Sequence, residues 1–218
     1  IAEDERVCLP VIVNMDGFYL SFTREPVLRP EPEQVRAFLP PYRPPHLGFK
    51  ASAPQALGVA VLGGAPYSYF RHQMHLAASN ALEVHQEVAA DFARLWGRRY
   101  DLVEEYRLED AEDVLVMSNA FATKGKAAVD AARARGRRVG LLRLRVIRPW
   151  PAEAIARSLR GRRGVAVLDQ NLAPGSGGIL FQEVAATLYH EPGRPRALCS
   201  FIGGFGGKNI TAAEFEAI

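Results

Sequence analysis

Short runs of Val, Leu and Ile alternate with segments of three- and four-residue apolar spacing through the second half of this chain. Val114 to Ser118 reads as a strand and Ala127 to Ala134 as a helix stopped at Gly136. The stretch VGLLRLRVIRPW, from Val139 to Trp150, is a second strand that runs into Pro149 and Pro151, residues that end a strand and open a helix. A helix from Pro151 to Leu159 follows, then a strand from Val165 to Leu168. The Gly-rich loop Pro174 to Gly178 introduces a helix through Leu188, and Ala197 to Ile202 makes another strand. Thr211 and Glu214 have capping-box spacing, which predicts a last helix. This alternation predicts a three-layer α/β/α domain with a mostly parallel sheet and right-handed crossovers.

The first half has another texture. Val7 to Val13 is a short apolar run that reads as a buried strand ending at the Asn14 and Asp16-Gly17 turn signal. A parallel strand so near the first residue implies preceding elements outside these residues. From Phe18 the pattern becomes extended and dense in proline, with room between Pro32 and Pro40 for one short helix, EQVRAFL, in what otherwise reads as a strap. Leu76, Ala77, Ala81, Val84, Val88, Phe92 and Leu95 then recur at helical spacing, so Tyr67 to Trp96 is a long helix stopped by Gly97, of a length that suits a connector between two bodies.

Composition narrows the class. The 218 residues, 48% hydrophobic and 23% charged, suffice for one or two globular domains. No apolar run approaches the roughly 20 residues of a membrane span, and the acidic start IAEDER is not the basic head of a signal peptide. Two cysteines, Cys8 and Cys199, exclude a disulfide framework and any four-cysteine cluster from this chain alone, which points to a reducing cytoplasm. The net charge is only +3, and the basic runs Arg133 to Arg138 and Arg160 to Arg163 fall at expected helix ends, where the helix dipole favours cations. No aromatic platform accompanies them, so neither nucleic acid nor membrane is expected as a partner.

Candidate chemistry is sparse. The loop PGSGGIL has Leu180 where a dinucleotide fingerprint needs its third glycine, and Pro174 where a nucleophile elbow needs its first. In GGFGGKN, Ile202 and Asn209 break the phosphate-loop pattern around Gly207-Lys208. The first reads as a tight strand-to-helix turn and the second as a close-packed connection, with contact to a ligand or partner as the second reading of each. His72, His75 and His85 share the long helix, but no third metal ligand or supporting shell is identifiable beside His72 and His75. Asp16 reads as a turn former or, at a strand end, as a catalytic acid. Asp169 and Asn171 follow a strand at its carboxyl end, where open α/β sheets place their sites, although capping of the next loop serves equally well. Cys199 reads as an inert core residue. No residue qualifies as catalytic, cofactor-binding or metal-binding. The contact candidates are Asp169, Asn171, Gly175, Ser176 and Gly177 in one loop region, and Gly206, Lys208 and Asn209 in the other.

Four phrases, in register over nearly the whole chain, add a family. NMDGFYLSFTREPV with FLPPYRPP, GLLRLRVIRPWPAEAI, VAVLDQNLAPGSGGILFQEV and FIGGFGGKNIT together resemble the alpha subunit of the 2-oxoacid:ferredoxin oxidoreductases, particularly pyruvate:ferredoxin oxidoreductase (pyruvate synthase). The resemblance implies a tail of the pyrimidine-binding thiamine domain over residues 1–66, a linking helix and connector over 67–110, and a transketolase C-terminal-like domain over 111–218. It implies oxidative decarboxylation of a 2-oxoacid with coenzyme A, electrons passing through iron–sulfur clusters to ferredoxin. Thiamine diphosphate, Mg and [4Fe-4S] clusters would belong to the complete complex and none to this chain alone, because the thiamine-activating glutamate, the GDG motif and the CxxC ligands have no counterpart here. Phe22, where relatives often carry histidine, and the phrase VLGGAPYSYF depart from the pattern, leaving the substrate open. The expected role is assembly, as a fragment or split subunit; the alternatives are a non-catalytic interaction module with an inherited transketolase-like fold and, on the glycine loops alone, a nucleotide-binding domain.

Overall fold

The structure is a computed structural model that describes residues 1–39, 41–43, 50–54 and 64–218. Its contacts divide the chain into two units, one formed by Ile1–Val13 with Pro26–Arg99 and the other by Asn14–Glu25 with Tyr100–Ile218.

The first unit is built on two helices, α1 (Pro32–Phe38) and α2 (Ala65–Trp96). Proline at the start of α1 lacks an N–H that would have no partner there anyway, and Glu31 and Gln34 complete a capping box. The 32-residue α2 ends at Gly97, whose left-handed conformation (φ 68°) closes the last turn. The two helices join through Phe38, edge-on to Phe92 and Trp96 at 5.7 and 5.2 Å, while Trp96 Nε1 donates to Gln34 Oε1 at 3.2 Å. At the chain start Arg6 pairs with Asp4 and Glu87, and Asn80 donates to the Arg6 carbonyl at 3.1 Å. Val7 and Val84 are buried nearby in sequence to these anchors. The expected strand at Val7 to Val13 is absent: Pro10 lacks an N–H, no neighbouring strand pairs with the segment among the described residues, and Ile12 and Val13 are 92% and 81% exposed. The predicted proline-rich strap through Pro66 lies partly outside the described residues.

The second unit carries a five-stranded sheet. Its elements are β1 (Val103–Tyr106), β2 (Asp113–Ser118), α3 (Phe121–Ala134), β3 (Val139–Leu144), α4 (Ala152–Leu159), β4 (Gly164–Asp169), α5 (Ile179–Leu188), β5 (Ala197–Ile202) and α6 (Ala212–Glu216). Strand order is β1-β3-β2-β4-β5, parallel except for β1. One apolar core joins the sheet to Ile155 and Leu159 of α4 and to Leu180, Val184 and Leu188 of α5. The other joins it to Phe121, Ala122 and Val129 of α3, with Phe215 of α6 against it. Helices therefore cover both faces, and because the direction of travel reverses as the helices change face, all three crossovers have one hand. Gly125 lets α3 lie close on the sheet: a Cβ there would sit 2.5 Å from Met117 Sδ and 2.6 Å from Leu141 Cδ1.

Three details differ from the expectation. Helix α3 begins six residues earlier than its apolar spacing suggested, at Phe121. The charged sequence VEEY forms β1, with Glu104 opposite Arg143 in the antiparallel register. Residues Gly17–Phe22, expected to lead into extended chain, make a short π-helical turn. The basic runs do lie at the ends of α3 and α4, and they are paired within the unit: Arg133 with Asp110, Arg135 with Glu216, Arg160 with Glu191 and Arg163 with Asp113.

Candidate functional site

The strand order reverses between β2 and β4, because the chain leaves β2 for α3 on one face and leaves β4 for α5 on the other. Open α/β sheets form a crevice at the carboxyl ends of such strands. The loops that meet there are Asn119–Ala120, the segment after Asp169, and the segment after Ile202.

Asp169 closes β4 and is fully buried. Its carboxylate accepts from Leu180 N at 2.8 Å and Phe181 N at 3.0 Å, so it satisfies the first turn of α5 from the end of the preceding strand. Gly178 is tied to that arrangement, since a Cβ there would stand 2.7 Å from Asp169 Cγ. Gly175 (φ 79°) and Gly177 (φ 98°) turn the intervening loop, in which Ala173 and Gly177 pair as an isolated bridge. Gln182 Nε2 donates to Ser176 Oγ at 2.7 Å and to the Ser176 carbonyl at 2.8 Å, which ties Ser176 to the helix. Asn171 and Leu172 are exposed at the loop's rim.

The loop after β5 places Gly206, Lys208 and Asn209 at the surface beside exposed Phe205. Lys208 Nζ pairs with Glu214 at 2.5 Å, and Thr211 and Glu214 cap α6 reciprocally. The Lys208 ammonium and the Thr211 backbone and hydroxyl hold the Glu214 carboxyl down to about 2. Asn209 Oδ1 accepts from Lys124 Nζ, on α3.

Asp16 and three residues that sequence reasoning passed over, Tyr19, Lys124 and Gln170, complete the crevice. Asp16, weighed as turn former or acid, accepts from Ala120 N at 2.5 Å where α3 begins. Tyr19 lies edge-on to Phe121 at 5.1 Å and accepts from Lys124 Nζ at 3.4 Å. Gln170 sits beneath Gly204, with its Oε1 buried and without a hydrogen-bond partner. Position beside Asp169 was the one sequence signal that marked Gln170; Lys124 carried none. Among the described residues no Ser, Cys or Thr nucleophile stands against a His base here. The arrangement suits recognition by hydrogen bonds and apolar contact.

Cys199 needs correction. It is exposed, because β5 is an edge strand whose inner face borders a groove of about 680 Å³ lined by Val139, Ala166, Phe201 and Phe215. His72, His75 and His85 lie on α2, and among the described residues no group of three His, Cys, Asp or Glu could hold a metal ion. No described helix is long and apolar enough to cross a membrane.

A parallel sheet with an antiparallel edge and loops of this kind defines a class of α/β domain, and its sequence fixes which one. Residues 111–215 match the family profile of the pyruvate:ferredoxin oxidoreductase core domain II, and this domain belongs to that family. Over its whole length the chain is similar to pyruvate synthase subunit PorA of Methanothermobacter thermautotrophicus, 38% identical over 218 residues and covering 55% of that protein. It is 37% identical over 210 residues to pyruvate synthase subunit PorA of Thermotoga maritima (96% of this chain, 53% of that protein). It is also 34% identical over 215 residues to ketoisovalerate oxidoreductase subunit VorA of Pyrococcus abyssi (98% and 54%). The chain spans about half the length of the curated relatives it matches.

Proposed function

We propose that this chain is part of the alpha subunit of a 2-oxoacid:ferredoxin oxidoreductase, oxidising pyruvate or a related 2-oxoacid to its acyl-coenzyme A in a reducing, cytoplasmic compartment. Its residues 1–66 would complete the pyrimidine-binding thiamine domain, 67–110 would link, and 111–218 would be the transketolase C-terminal-like domain. The observation that carries the reading is similarity to pyruvate synthase subunits along the full 218 residues, with the core domain II match at its centre.

The chain's part in that enzyme is assembly. Ile12, Val13, Val27, Leu28, Tyr69 and Phe70 are exposed in the first unit, and Leu172 and Phe205 in the crevice loops of the second. In this reading these side chains lie against other subunits or domains of the enzyme. Thiamine diphosphate with Mg would supply carbanion stabilisation and iron–sulfur clusters electron transfer. The donor set here fits neither metal group: there are two cysteines, one in each unit, and no described cluster of acidic or His ligands. These groups would be held by other subunits or domains of the oxidoreductase.

Anaerobic affinity purification from the native cells tests the proposal. Iron–sulfur-bearing subunits should co-elute, and the eluate should reduce ferredoxin in a reaction that requires both a 2-oxoacid and coenzyme A. Carbon dioxide release by the isolated chain would overturn the assembly role. A monomeric eluate without cluster-bearing partners would overturn the oxidoreductase reading and favour a free-standing interaction module.

A further inference from the structure

Away from the crevice loops, four ionisable side chains meet where β1, β3 and α3 come together. Glu104 of β1 stands opposite Arg143 of β3, Arg145 follows two residues on along the same face, and Lys126 reaches over from α3. All four are about three-quarters buried, with side-chain exposures of 23% to 26%. One carboxylate serves three cations: Glu104 Oε1 accepts from Lys126 Nζ, while Oε2 lies 2.5 Å from Arg145 Nη2 and 3.5 Å from Arg143 Nη1.

The donors exceed what Glu104 can take. Each guanidinium carries five N–H groups, Arg143 reaches the carboxylate only at the limit of hydrogen-bond distance, and the buried Nε of Arg145 has no partner. Two rings flank the cluster, Tyr100 with its centroid 4.9 Å from Arg145 Cζ and Tyr106 with its centroid 5.2 Å from Lys126 Nζ. Asp130, the acid beside Tyr106, is engaged by the Tyr106 hydroxyl and by Arg107. Burial pushes the Glu104 carboxyl up, but Lys126, Arg145 and Arg143 together outweigh it and hold the group below its usual value. Partly buried cations in excess of their anion form an attractive site for a second anion, because low local polarity strengthens the attraction while a quarter of each side chain stays open.

We propose that Lys126, Arg143 and Arg145 bind a phosphate dianion, the terminal group of a phosphorylated small molecule, at the β1–β3 edge of this domain. The excess of two positive charges within the four-residue cluster matches the charge of a phosphate monoester, and guanidinium pairs match its tetrahedral oxygens.

Calorimetric titration of the full 218-residue chain with inorganic phosphate tests it, with acetate as the carboxylate comparison and chloride holding ionic strength constant. Phosphate should bind saturably and about tenfold tighter than acetate. Arg143→Gln and Arg145→Gln should each weaken it by about tenfold, whereas Glu104→Gln, which removes the competing carboxylate, should tighten it several-fold. That gain separates the proposal from a merely structural role, since a cluster that only staples β1 to β3 would lose stability in Glu104→Gln without gaining affinity. If Glu104→Gln does not fold, the arginine variants decide. Phosphate binding no tighter than acetate, unchanged affinity in the arginine variants, or a folded Glu104→Gln without gain overturns the site.

Discussion

At the scale of single residues, Asp169 and Gly178 act as one device. The carboxylate satisfies two amides of α5, and it fits because position 178 has no side chain to displace it. Asp169→Ala leaves both N–H groups of a buried helix start without an acceptor and is expected to cost about 2–4 kcal/mol in urea unfolding. Gly178→Ala should cost a similar amount by pushing the carboxylate off its partners, and the double variant should cost clearly less than the two together. Strict additivity would mean that the two residues act separately. The sequence placed Asp169 correctly at a strand's carboxyl end, yet it left contact and cap as equal readings, because burial is a property of the assembled sheet. Glu214 offers a second test at this scale. Its carboxyl falls from an ordinary 4.5 to about 2 in the folded chain, so its stabilisation of the α6 start is complete above about 4.5 and disappears as pH falls towards 2. Protection of the Ala212–Glu216 amides, taken relative to the intrinsic exchange rate at each pH, should fall through that window, and Glu214→Gln should remove that fall.

At the scale of elements, the buried parallel strands were legible because both faces are covered and their sequences are continuous apolar runs. The edges were not. Strand β1 hides in VEEY because its two glutamates are spent on neighbours, Glu104 on the cations of β3 and α3 and Glu105 on Ser158 Oγ at 2.6 Å. Strand β5 was found, but Cys199 within it was misread, since apolar sequence does not say which strand is last in the sheet. The run at Val7–Val13 erred in the other direction, having strand composition without a strand beside it. Helix α3 gives the sharpest element-scale prediction. Helix propensity says that Gly125→Ala should stabilise by roughly 1 kcal/mol. The Cβ contacts to Met117 and Leu141 say that it overpacks, at a cost of about 1–3 kcal/mol. Rigid strands leave those side chains little room to move, so net destabilisation is expected, read as an earlier urea midpoint with an unchanged slope; a later midpoint would show that α3 can lift off the sheet.

At the scale of the whole molecule, the notable feature is that the chain visits its sheet-bearing unit twice. Residues Asn14–Glu25 belong with Tyr100–Ile218, although the segments on both sides of them belong to the other unit. Family phrases made the family readable, but they did not show this threading, because the contacts that cause it lie over a hundred positions apart in the chain. Asp16 supplies an acceptor to Ala120 N at the start of α3, and Tyr19 covers the buried Phe121 ring while Lys124 lies against both rings. A carboxylate at a helix N-terminus gains from the helix dipole as well as from the hydrogen bond, about 0.5–2 kcal/mol in all. A short segment whose contacts to α3 include this bond and those of Tyr19 should therefore be loosened by losing either. Asp16→Ala is expected to speed tryptic cleavage after Arg24, inside the docked segment, by several-fold, while cleavage after Arg36, outside it, keeps its rate. Tyr19→Ala should give the same pattern without touching the carboxylate. Equal acceleration at both sites would mean general unfolding, and no acceleration at either would mean that the backbone turn at Gly17–Phe22 holds the segment by itself.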